Sequence, residues 1–138
     1  MACRTLIGVA EPDGRYTARW LHYGDEPAAL IPVLRRIWTA TFAADITARA
    51  AELLARDWVQ LDAAPTRRRH DPPPRPGAGH PMRDNLGARH GHIATDEVGA
   101  DLEWLYLLDR AADTVSVYEA TRHDRWLHHS THRLAAGR

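Results

Sequence analysis

An α+β fold, with an antiparallel sheet built from an N-terminal β-hairpin and a late strand pair and with two helices packed on one face, follows from three features of the chain. Two short, largely alternating runs, Cys3 to Val9 and Tyr16 to Tyr23, flank the turn sequence Glu11-Pro-Asp-Gly14. Two apolar stripes at helical spacing come next, and after them an apolar run from Leu102 to Asp109 and an alternating one from Thr114 to Tyr118. At 138 residues the chain suits one domain, burying roughly two-thirds of the surface its unfolded form exposes.

Taken in order, each element has a local cause. In the hairpin turn Pro12 presets φ and Gly14 accepts a positive one. Pro27 suits a first helical residue, with Asp25 near the capping position, and Leu30, Leu34, Ile37, Trp38 and Thr41 recur at helical spacing. Pro32 removes one helical hydrogen bond, so regular helix is expected from about Ile31. After a joint at Ala43-Ala44, Asp45 caps a second helix with Ile46, Ala50, Leu53 and Leu54 on one stripe, ending near Asp57-Trp58.

Residues 63–95 hold six prolines, Pro65, Pro72, Pro73, Pro74, Pro76 and Pro81, with Gly and charge and little to bury. Such a stretch cannot repay its ordering entropy, which predicts a mobile loop with neither helix nor central strand. Leu102 to Asp109 then reads as a central strand covered on both faces, Arg110 to Asp113 as its turn, and Thr114 to Tyr118 as its partner. The tail, with Trp126, Leu127 and Leu134 among His and Arg, fits one more strand or a short helix.

Composition excludes several classes of function. Eighteen basic residues, all Arg, balance eighteen acidic ones, so no global field draws the protein to nucleic acid or an anionic membrane. Lysine-free, Ala-, Arg- and Pro-rich composition points to a GC-rich, actinobacterial-type source. No apolar run approaches the roughly 18 residues of a membrane span and no signal-peptide layout opens the chain, so a cytoplasmic protein is expected. A single cysteine, Cys3, rules out an intrachain disulfide and a multi-cysteine zinc site.

The order of the pieces resembles a family of small uncharacterised phage, prophage and bacterial proteins, in which an N-terminal hairpin ends in a Tyr-x-His-x-Asp-Gly-Tyr-Pro-like segment. Trp20, His22 and Pro27 fall on that segment, Asp57 on the exit from the second helix, and Leu102, Trp104, Tyr106 and Asp109 on a late strand. Gly24-Asp25-Glu26 departs from the family's Asp-Gly-Tyr. The resemblance implies an α+β fold and an association with mobile elements. It supplies no activity and no catalytic residues.

Candidate chemistry is sparse. Cys3 invites an N-terminal-cysteine amidohydrolase, but Ala2 leaves it one residue inside the terminus that removal of Met1 would create. His128 and His132, four apart, share a helix face if the tail is helical, with His129 beside them and His22 as a third ligand for a metal-dependent hydrolase. The six Arg and two Asp of residues 63–92 give a local balance of +4 without any aromatic residue to stack on bases. No Walker loop, dinucleotide fingerprint, nucleophile elbow or zinc-protease motif is present. The expectation is therefore a non-enzymatic interaction module with no cofactor, no metal and no catalytic residue. Its partner is expected to be another protein rather than nucleic acid or membrane, bound through Trp20, His22, Tyr23 and Asp25, where an imidazole and aromatic surface meet the free N–H groups of a helix N-terminus.

Overall fold

In a computed structural model that describes residues 3–39, 46–66, 72–94, 98, 102–109, 113–121 and 124–134, the turn chemistry closes the N-terminal hairpin. Strand β1 (Cys3–Ala10) pairs antiparallel with β2 (Arg15–Gly24), and the Glu11 and Arg15 backbones meet at 2.8 Å across a turn whose Gly14 has φ of 92°. Thr41, the joint at Ala43-Ala44, the cap at Asp45, residues 67–71 and residues 110–112 lie outside the described residues.

Helix α1 (Pro27–Thr39) starts at Pro27 and runs through Pro32, earlier than the expected start at Ile31. Pro32 and Ala28 both face solvent, so the carbonyl that loses its helical donor is not buried. The residue before the helix is Glu26, whose carbonyl accepts from the Ala29 and Leu30 amides at 3.0 Å. Helix α2 (Ile46–Leu54) stops short of the expected end at Asp57-Trp58, because Trp58 opens strand β3 (Trp58–Leu61) and its indole Nε1 donates to the Leu53 carbonyl at 3.0 Å. A free carbonyl at the helix end thus takes its donor from the strand that follows.

Residues 63–95 contribute strands β4 (Gly79–Pro81) and β5 (Arg89–His92), where only loop was expected. Both are edge strands, so the prolines still keep this stretch out of the sheet centre. Gly79, at φ of 151°, lies where an added Cβ would be 2.3 Å from the Gln60 carbonyl oxygen, and this close approach seats β4 against β3. Strands β6 (Trp104–Asp109) and β7 (Thr114–Ala120) form the expected late pair, and the tail is strand β8 (Trp126–Arg133).

Among the described residues the sheet has eight strands in the order β4-β3-β2-β1-β6-β7-β8, with β5 also on β2. It is mixed, which corrects the antiparallel sheet expected: β1 runs parallel to β6, and β2 parallel to β3. The hairpin and the late pair are joined at their most apolar strands. Thr5 to Val9 and Leu105 to Leu108 are all buried, and two runs covered on both faces are best placed side by side at the sheet centre. The long connection between them permits the parallel sense, whereas a short turn would have forced the antiparallel one. The alternation seen in β1 therefore does not mark a solvent face.

One face of the sheet packs Ile7, Val9, Leu21, Tyr106, Leu108, Val115 and Val117 against Leu30, Leu34, Ile37 and Trp38 of α1 and Ala50 and Leu53 of α2. The opposite face packs Leu6, Tyr16, Ala18, Leu105, Leu107 and Trp126 with Val98 and Leu102. Gly8 lies at the crowded centre of that second face: an added Cβ would sit 2.6 Å from the Ala18 Cα.

Candidate functional site

The candidate residues sit on the last third of β2 and the entry to α1. From Thr5 to Cys3 on β1 the ladder advances two residues while β2 advances three, Leu21 to Gly24, so β2 carries a bulge at His22-Tyr23. A bulge re-aims side chains that would otherwise alternate between faces. Here it brings the two rings together, with centroids 4.5 Å apart and planes at 75°. His22 is exposed and Tyr23 is 51% exposed, one of three large apolar side chains in the open among the described residues.

The other two candidates are placed differently. Trp20 is half-buried, packs against the core on the far side from the helices, and gives its backbone N–H to Asp57 Oδ1 at 3.0 Å. Asp25 is exposed and uses its backbone, the carbonyl accepting from the Tyr106 hydroxyl at 2.6 Å. The structure therefore brings His22 and Tyr23 into contact and fixes the segment around them from below. Trp20 is an anchor of the sheet more than an open surface.

That anchoring centres on Asp57, which the sequence placed only at a helix exit. Asp57 is fully buried. Its Oδ1 accepts from Arg19 Nε at 2.9 Å and from the Trp20 amide, and its Oδ2 accepts from the Leu86 amide and from the Gly87 amide at 3.1 Å. Asn85 completes the cluster, its Oδ1 accepting from the Asp57 amide at 2.8 Å. Arg19, itself 9% exposed, balances the charge. With both oxygens filled by donors, the carboxylate has no lone pair directed at a substrate, so its role is to tie β2, the α2–β3 turn and residues 85–87 together. The sequence signal was an acidic residue between a helix end and a strand start, which becomes informative only when the strand is recognised.

The described histidines do not assemble into a metal centre. The tail is a strand, which removes the helical spacing, and a register shift at His129 sends its neighbours to opposite faces. His128 packs edge-on to Tyr118 at 5.4 Å and bonds Thr131 Oγ1 at 2.8 Å. His129 packs edge-on to Trp104 at 5.3 Å, and with His132 it shares Ser130 Oγ, at 2.9 and 2.8 Å. Among the described residues no three His, Cys, Asp or Glu side chains are grouped to hold a metal ion. In β5, His92 receives the Ala94 amide on Nδ1 at 3.2 Å, so Nε2 carries the proton and donates to the Asp13 carbonyl at 2.9 Å. His90 pairs with Thr17 at 3.1 Å. Both hold β5 to the hairpin. Trp126 is 9% exposed, and the Cys3 backbone pairs with Gly24.

His132 provides a pH test. Burial, then Arg35, then His129 hold its pKa below the ordinary histidine value of about 6.5. The unfolded chain therefore takes up this proton at a higher pH than the folded one. The stabilisation is complete above about pH 6.5 and is lost as the pH falls toward the folded value. The side chain is only partly buried, so the effect is small. The melting temperature is expected to fall between about pH 7.5 and about pH 5, and to fall less in His132→Asn. Equal slopes in the two proteins would assign the acid sensitivity to other groups.

No family model, no curated protein and no solved structure matches this chain. Among the described residues no helix is long and apolar enough to cross a membrane.

Proposed function

We propose that the chain is a non-enzymatic interaction module, an accessory protein of phage or prophage type acting in the cytoplasm, which binds another protein through the end of its hairpin. The observation that carries this reading is the bulged His22-Tyr23 pair, exposed on a strand end whose backbone is held by part-buried bonds. A binding surface of this kind needs a rigid support and an aromatic side chain that is not spent on the core. Tyr23 supplies the aromatic, His22 an imidazole, and Asp25 an exposed carboxylate at the entry to α1. Trp20 fixes the strand beneath them.

The hydrolase alternatives find less support. The only fully buried carboxylate among the described residues is filled by donors, and the tail histidines are divided between the two faces of the strand. Of the residues carrying the resemblance to phage proteins, Asp57 holds the Trp20 amide.

The test is a pair of exposed substitutions, His22→Gln and Tyr23→Ser, in the tagged full chain. Capture of its partner from the encoding cells is expected to drop by at least about tenfold, while the melting temperature and circular dichroism spectrum stay as in the unmodified protein. Undiminished capture by the folded double variant would place the contact elsewhere.

A further inference from the structure

Beyond the hairpin surface, a cleft of about 460 Å³ lies between the α2–β3 turn and the proline segment that precedes β4. Its size falls within the range of small-ligand sites. Pro72, Pro73 and Pro74 form one wall and Met82 adds apolar surface, while the polar lining comes from Arg56, Arg75 and Asn85. Among the described residues lining it none is acidic and two are arginines.

One of those donors is buried without a partner among the described residues. Arg56 Nε is shielded from solvent and has no hydrogen-bond partner among the described residues. Asn85 is oriented by the Asp57 amide, which occupies Oδ1 and leaves the Nδ2 amide as the group Asn85 still has to give. Arg75 bonds Glu52 through Nε at 2.9 Å, a contact that raises its pKa. A guanidinium recognises an oxyanion through paired N–H bonds.

We propose that this cleft binds a small organic anion, a carboxylate or phosphate head on a short apolar body, with the head on Arg56 and Asn85 and the body against the prolines. The site shares no residue with the His22-Tyr23 surface and stands or falls independently of it.

The test uses the full-length, 15N-labelled chain at constant ionic strength, following the arginine Nε–Hε resonances during titration with phenyl phosphate, phenylacetate, inorganic phosphate and neutral phenylacetamide. At least one of the two organic anions is expected to shift the Arg56 resonance saturably, and the stronger of them identifies the head group. Inorganic phosphate is expected to bind about tenfold more weakly for want of the apolar body, and phenylacetamide not to bind. Arg56→Gln is expected to weaken the organic anion by at least about tenfold, and Arg75→Gln by less. Absence of a saturable Arg56 shift in the unmodified protein would overturn the proposal whatever the variants do. So would equal binding of phenylacetamide, equal binding of inorganic phosphate, or full affinity in a folded Arg56→Gln protein.

Discussion

Asp57→Asn is expected to lower folding stability by about 3–5 kcal/mol, read as a reduced urea midpoint, because it removes one partner of a buried ion pair. The four donors on its two oxygens explain the size of the effect. An asparagine keeps the shape but turns an NH2 toward N–H groups on one side, leaves Arg19 uncompensated, and frees the 85–87 segment from β2. Small domains are stable by only about 5–15 kcal/mol, so the variant loses a large share of its margin. A midpoint within error of the unmodified protein would mean that the cluster is not a structural centre.

Leu107→Ala is expected to cost about 2–5 kcal/mol, the range for truncating a buried leucine without collapse of the cavity. Leu107 is 2% exposed on β6, flanked by β1 and β7, and packs on the face away from the helices. The measurement also tests whether that second face is a packed core, since a sheet covered only by the helices would tolerate the change. An unaltered midpoint would contradict the double cover.

These two positions mark how far the fold could be read from the sequence. Leu102 to Asp109 announced a doubly covered strand because five apolar residues in a row, Trp104 to Leu108, leave no polar face, and Leu105 to Leu108 are buried. The hairpin was legible for a similar reason, since Pro12 and Gly14 dictate local dihedrals. Neither signal carries strand order. The parallel contact of β1 with β6 depends on where a long connection crosses, which no local pattern encodes. β3 escaped because Trp58-Val-Gln-Leu61 follows α2 with only three residues between, and its apolar residues extend the helical stripe.

The candidate site was legible in part. His22, Tyr23 and Asp25 are exposed, whereas Trp20 is half-buried and packs against the core on the face away from the helices. The bulge that joins the two rings arises from register between strands and has no signature in the sequence. The importance of Asp57 was hidden likewise, because its donors come from positions 19, 20, 86 and 87.

The most direct test of the proposed interaction surface is site-specific photo-crosslinking in the encoding cells. A benzophenone side chain is placed at Tyr23 and, as a control, at Leu127 on β8, which is 53% exposed at the far end of the sheet. The proposed function predicts one discrete protein adduct from position 23, lost when His22→Gln is added, and no such adduct from position 127. An adduct common to both positions, or none from position 23, would contradict it.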